Sequence, residues 1–329
     1  MFMKARRRIV ALSALFLSFN LTSTTQTASP QVQPTASTGA DRIVLLTTVI
    51  NKKGDFVAGL QRDNFQVFFD KEPANIVDFS DTDVPLSVGI VLDASASVVD
   101  PGSGRTIRRF MNSLQQALTK FLETGNKSNE YFLLAFNNKP ELLLDWTSDS
   151  KSIVDSLSDV RPKNNTALYD ACYLAIEKVQ RGRYPKRVLI LISDGADNNS
   201  TYTFRQVREA LGESDVLLYS INFSHEDSAG SALGNEGQEI LKEFSSISGG
   251  MFFYKKDGVH LKVSDATSVF EIIATELGQQ YTIGIKPQIS NADSKWHKIK
   301  VKVNPPAGGL PEMKGLSVRT REGFYLNHR

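Results

Sequence analysis

Cysteine is nearly absent: Cys172 is the one thiol in 329 residues. A single thiol forms no internal disulfide and no Cys-based metal cluster, so stability must come from ordinary packing. Cys172 lies in a stretch whose apolar positions recur at helical spacing, which reads as a buried core thiol. Histidine is scarce too. His225, His260, His297 and His328 are scattered and form no His-Glu-x-x-His pair. No Gly-x-Ser-x-Gly elbow occurs, and Gly102-Ser103-Gly104 lacks the lysine of a phosphate loop. Basic groups such as Arg108-Arg109 and Arg181 to Arg187 carry no aromatic-basic nucleic-acid motif, so no nucleic-acid partner is expected. Long apolar runs are missing as well, which excludes a polytopic membrane protein.

Acid is missing from one end. No Asp or Glu precedes Asp41, while Lys4, Arg6, Arg7 and Arg8 crowd the first ten residues. The apolar run Ile9 to Leu21 follows. It has the length of a signal-peptide core and falls short of the roughly 20 residues that span a bilayer. Residues 1–28 read as a signal peptide and 29–40 as a flexible Ser/Thr/Gln/Pro-rich linker. An uncleaved signal anchor is the alternative, and either places the rest of the chain outside the cytoplasm. The formal charge of +2 and the isoelectric point near 8.5 then mislead. Without those four residues the count is 34 basic against 36 acidic.

What is present is a globular composition: 22% charged, 41% hydrophobic, mean hydropathy −0.22. At roughly 150 residues per domain, the length suggests two domains. Ile43 to Ile50, Phe65 to Phe69 and Ile76 to Phe79 are strand-like and separated by turn residues. Past Pro85 the period changes. Leu86 to Leu92 and Arg187 to Ile192 are continuous apolar runs, as expected of strands buried on both faces. Between and after them come helical stretches: Arg105 to Glu123, Ala167 to Gln180, Phe204 to Leu211, Glu236 to Ile247 and Ala266 to Leu277. Further strands are expected at Tyr131 to Phe136 and Val216 to Ile221. This alternation predicts an α/β fold with a doubly wound, mostly parallel sheet over residues 84–278. The tail returns to strands at Tyr281 to Lys286, His297 to Val303 and Leu316 to Thr320. Neither β segment suffices alone. Residues 41–83 and 279–329 are therefore expected to join as a small β-sandwich into which the α/β domain is inserted.

The first buried strand ends at Asp93-Ala94-Ser95-Ala96-Ser97, an acid and two hydroxyls two residues apart. Loops at the C-terminal strand ends of such a sheet line the ligand crevice, and hard oxygen donors suit Mg²⁺. Thr166 precedes a helix, and Asp194 follows the second buried strand in Ser193-Asp194-Gly195. Each element alone has a plainer reading: Asp93 and Thr166 as helix caps, Asp194-Gly195 as a turn. Asp197 and Asn198 read as loop-shaping residues.

Together, Asp-x-Ser-x-Ser, a later Thr and a later Asp-Gly resemble the metal-ion-dependent adhesion site of the von Willebrand factor A family. The flanks Gly59 to Phe65 and Val84 to Gly89 resemble a bacterial secreted subgroup. The resemblance implies that Asp93, Ser95, Ser97, Thr166 and Asp194 hold Mg²⁺, or Mn²⁺ or Ca²⁺, directly or through water. It also implies an open position for an Asp or Glu of a protein partner. In that subgroup glycines often precede the Thr, where this chain has Asn164 and Asn165. Ligand-face loops are expected at Asp100, Asn165, Asp197, His225 and Glu226. The resulting expectation is an extracytoplasmic binding module and not an enzyme. A metal-dependent hydrolase using the same ion, or a scaffold with no metal role, are the alternatives.

Overall fold

The structure is a computed structural model that describes residues 42–95, 104–160, 165–222, 232–254, 266–286, 295–305 and 315–325. All of them belong to the compact unit Thr38–Arg329. The signal-peptide reading and the linker reading lie outside the described residues.

The apolar runs form one six-stranded sheet. Its strands are β4 (Leu86–Asp93), β5 (Glu130–Phe136), β6 (Pro140–Thr147), β7 (Lys186–Ser193), β8 (Val216–Asn222) and β9 (Phe252–Phe253). The order is β6-β5-β4-β7-β8-β9. Only the edge strand β6 runs antiparallel. Strands buried on both faces need helices on both faces. On one side Val88, Ile90 and Leu92 pack under α1 (Gly104–Thr124), α2 (Ser150–Ser156) and α6 (Ala266–Gln279). On the other, Val91, Phe132 and Leu189 pack under α3 (Leu168–Gln180), α4 (Phe204–Glu213) and α5 (Ala232–Ser248). Local chemistry sets the helix starts. Asp149 accepts the Lys151 and Ser152 N–H groups at the head of α2, and Thr203 with Gln206 forms a capping box on α4.

The flanking segments do join. β1 (Ile43–Ile50), β2 (Phe65–Phe69), β3 (Glu72–Ser80), β10 (Tyr281–Lys286), β11 (Trp296–Val303), β12 (Ser317–Arg319) and β13 (Gly323–Tyr325) make one antiparallel sheet. Its order is β12-β1-β10-β3-β2-β11-β13. The expected sandwich takes a different form: a single continuous ladder that curls until β12 lies beside β11. A register irregularity at Gly284/Ile285 marks a bend in it. Curling gathers Ile43, Leu45, Phe65, Val67, Ile283, Ile299 and Val301 into one core, so one sheet covers its own apolar face.

The two sheets are bonded tightly. Leu46 of β1 belongs to the core beneath α1 and α6. Arg321, 4% exposed, donates to the carbonyls of Leu211, Gly212 and Ser214, which closes the C-terminal end of α4. Burial pulls its guanidinium down to about 10. The Arg319 guanidinium bonds the buried Glu276 carboxylate, which also accepts from Thr48 (2.6 Å) and Gln280 (3.2 Å).

Candidate functional site

β4 and β7 are neighbours at the centre of the sheet, so their C-terminal ends deliver Asp93 and Asp194 to one place. Asp93 is 1% exposed. One of its oxygens accepts the Ser95 amide N–H at 2.8 Å, and the other accepts the Ser193 hydroxyl at 2.6 Å. Burial foremost, then the Asp194 charge, pushes the Asp93 carboxyl up to about 7, against the pull of the Ser193 and Ser95 hydrogen bonds. Among the described residues no cationic side chain contributes to that balance. A buried carboxylate is thus held beside a half-buried one, with hydroxyl and amide groups around Asp93.

The loop after β7 is built to hold Asp194 still. Gly195 has φ +85°, and a Cβ there would stand 2.2 Å from the Gly237 carbonyl oxygen of α5. Glycine is therefore required for both conformation and close approach. Asp194 accepts the Ala196 N–H at 2.9 Å, and its carbonyl accepts from Asn222 at the end of β8.

Thr166 is buried and tied to the same loop. Its N–H donates to the Asn198 side chain at 2.9 Å, and its carbonyl accepts the Asn198 and Asn199 N–H groups at 2.9 and 3.0 Å. The cap of α3 is Ala167, without a side-chain bond, so Thr166 does not serve as the helix cap. Asn165 is exposed and donates to Asn199 at 3.2 Å.

The structure therefore brings Asp93, Ser95 and Asp194 together and links Thr166 to the loop that carries Asp194. Ser97, Asp100, His225 and Glu226 lie outside the described residues. Asp197 turns inward: its carboxylate accepts the Ser200 hydroxyl (2.5 Å) and the Tyr169 N–H (3.3 Å). It shapes the loop, as does Asn198. Asp170 does likewise, accepting the Thr201 and Tyr202 N–H groups at 2.8 Å each. Ser193 and Asn222 were not singled out by sequence reasoning. Their signal was available, since each is a polar residue closing an otherwise apolar buried strand. Cys172 is buried and its thiol is pushed far up by burial, so it is unreactive.

The donor set suits a hard divalent cation. Among the described residues no three His, Cys, Asp or Glu side chains cluster. The acceptors at Asp93 and Asp194 are carboxylate and hydroxyl oxygens, the donors that Mg²⁺ prefers. The uncompensated Asp93–Asp194 pair is the observation that a cation would answer.

Comparison with known proteins follows from this geometry. Residues 88–196 match the family described as the von Willebrand factor type A domain. No curated protein sequence matches the chain significantly. Several solved structures are similar at low identity. The vWF domain of the type V pili tip protein Mfa5 from Porphyromonas gingivalis is 13% identical, with TM-score 0.46, over 60% of this chain and 97% of that one. An aerotolerance-related membrane protein from Bacteroides fragilis NCTC 9343 is 17% identical, with TM-score 0.44, over 58% and 98%. The PilB minor pilin of Streptococcus sanguinis is 12% identical, with TM-score 0.46, over 61% and 63%.

Proposed function

We propose that this chain, which carries a von Willebrand factor type A domain at residues 88–196, is an extracytoplasmic binding module whose site closes on a protein partner around a divalent ion. The observation that carries the reading is the buried Asp93 beside Asp194, with no cationic side chain among the described residues contributing to its balance. Asp93, Ser95, Ser97, Thr166 and Asp194 would hold Mg²⁺, or Mn²⁺ or Ca²⁺ in its place. When bound, the ion supplies an electrophilic position that a partner's Asp or Glu can fill.

The chain's residues do the rest. Asp93 stays oriented through Ser193 and the Ser95 amide, so its oxygens do not have to reorganise on binding. Gly195 against Gly237 fixes the path of the Asp194 loop, and Asn198 fixes Thr166 to it. Two carboxylates balance a divalent ion only formally, and the remaining neutral hydroxyl donors leave it electrophilic toward an anionic partner group. The module reads as non-catalytic. Its export rests on the N-terminal sequence; among the described residues no helix is long and apolar enough to cross a membrane.

Calorimetric titration with Mg²⁺, Mn²⁺ and Ca²⁺ tests the metal. One site is expected in wild type, with loss in Asp93→Ala and in Ser95→Ala/Ser97→Ala. Equal binding by wild type and variants overturns the assignment. Pull-downs from envelope and medium extracts, with and without chelator, then identify partners lost in both the chelator and mutant arms.

A further inference from the structure

The outer face of the curled sheet carries a charge row that the metal site does not use. β11 alternates strictly. His297, Ile299 and Val301 turn inward, while Lys298, Lys300 and Lys302 are exposed. Successive residues on one strand face stand about 7 Å apart, so the three side chains form a line. Elsewhere basic groups find partners: Arg42 with Asp78 at 3.0 Å, Arg208 with Glu243 at 2.9 Å, Lys178 with Asp145 at 2.5 Å. Among the described residues, no carboxylate lies within ion-pairing reach of Lys298, Lys300 or Lys302. Asp70, at the end of the adjacent strand, is already held by His297 Nδ1 (2.6 Å) and the Lys298 amide N–H (2.8 Å).

Opposite Lys300 and Lys302 the cross-strand neighbours on β2 are apolar or neutral. Lys302 pairs with Gln66, Lys300 with Phe68, and Phe68 in turn with Pro73. The Lys302 ammonium stands 4.8 Å from the Phe68 ring centre. Val77 of β3 is 48% exposed. Among the described residues, the face therefore combines an uncompensated line of ammonium groups with partly exposed apolar side chains beside it. Like charges in a line repel, and an anionic surface relieves that repulsion.

We propose that the outer face of β11, β2 and β3 docks on anionic phospholipid headgroups. The lysines meet the phosphates, and Phe68 and Pro73 reach the boundary between headgroups and acyl chains. The curled sheet turns this face outward and convex. It offers area and not a cleft, which suits a bilayer better than a single peptide side chain. Docking there is independent of the metal site, which lies at the strand ends of the other sheet.

The test uses the full chain and co-sedimentation with vesicles of neutral phosphatidylcholine, or of phosphatidylcholine with phosphatidylglycerol, at low salt. All arms share the same N-terminal segment. Lys298→Gln/Lys300→Gln/Lys302→Gln is compared with Lys53→Gln/Lys139→Gln/Lys151→Gln, which removes the same charge elsewhere. The expected result is that the β11 variant loses about 100-fold in affinity for anionic vesicles, with little change for neutral ones, and that the control variant stays near wild type. Equal losses in both variants would reduce the effect to net charge and overturn the proposal. So would unchanged binding by the β11 variant. Binding of soluble polyphosphate by wild type, lost in the β11 variant, without any preference for anionic vesicles would assign the face to a soluble polyanion instead. Circular dichroism melts of both variants verify folding.

Discussion

At the C-terminal ends of β4 and β7, buried Asp93 stands beside half-buried Asp194, and among the described residues no Arg, Lys or His contributes to the balance at Asp93. At the junction between α6 and the curled sheet, buried charge is treated the other way. Glu276 is fully buried but meets Arg319, Thr48 and Gln280. Nearby, the Lys186 ammonium bonds the Leu277 carbonyl at 2.6 Å, and burial brings it down to about 8. Arg321 is buried against three carbonyls at the end of α4. Both regions pay to desolvate ions. The paired cluster returns a fixed junction between the two sheets, and the unpaired one keeps an unmet demand for positive charge.

Breaking the junction should have the largest effect. Glu276→Ala removes the buried carboxylate that Arg319, Thr48 and Gln280 share and should destabilise by about 2–3 kcal/mol in urea unfolding. Arg321→Met uncaps α4 and leaves its carbonyls unpaired, at a cost of about 2–3 kcal/mol. Neither should change metal affinity in the variant that remains folded, since neither residue touches Asp93 or Asp194. A loss of metal binding in folded Arg321→Met would mean that the two regions are coupled.

The acid pair should respond to pH in a defined direction. The Asp93 carboxyl is raised in the fold, from 3.8 to about 7. Its contribution is therefore fully present below about pH 4 and is lost as pH rises through 7. Without divalent ions, this group should lower stability across that window by at most about 1.4 kcal/mol per pH unit. Mg²⁺ should oppose the loss, and its stabilisation should grow from pH 5 to 8 as Asp93 ionises. Thermal melts at pH 5, 6, 7 and 8, with and without Mg²⁺, measure both trends. Asp93→Asn should flatten the metal-free profile and abolish the Mg²⁺ effect.

The smallest expected effect lies far from either region. The β2–β3 turn places Asp70 and Lys71 at positive φ, 48° and 77°. Asp70 is used there, by His297 and Lys298. Lys71 is not, so Lys71→Gly should stabilise by roughly 0.5–1 kcal/mol by relieving the left-handed strain. A destabilised Lys71→Gly would show that the lysine has a role beyond the turn.

Much of this was legible residue by residue. Leu86 to Leu92 and Arg187 to Ile192 announced strands buried on both faces because they carry no alternation. Asp93 and Asp194 drew attention because each closes an apolar run and they fall in order with Ser95, Ser97 and Thr166; alone, each had a plainer reading as a cap or a turn. Other features were not readable. Arg321 lies in a short polar tail, and nothing local shows that it enters the end of α4. Pro73 hid the start of β3, because proline argues against a strand unless its missing N–H is not needed for the ladder. Thr166 looked like a helix cap until Ala167 took that position.

The sequence by itself determined the alternation of strands and helices, the order of the acid and hydroxyl residues, and the return of β-structure at the tail. These follow from local periodicity and from what each residue type can do alone. The tertiary structure decided that the flanks close as one curled ladder, that buried Asp93 meets Asp194, and that Arg319 and Arg321 lock the second sheet to the first. Those outcomes depend on which residues distant in the chain are brought into contact, and on how much water is left around them. Burial and charge proximity are properties of that assembly, so no window of sequence contains them.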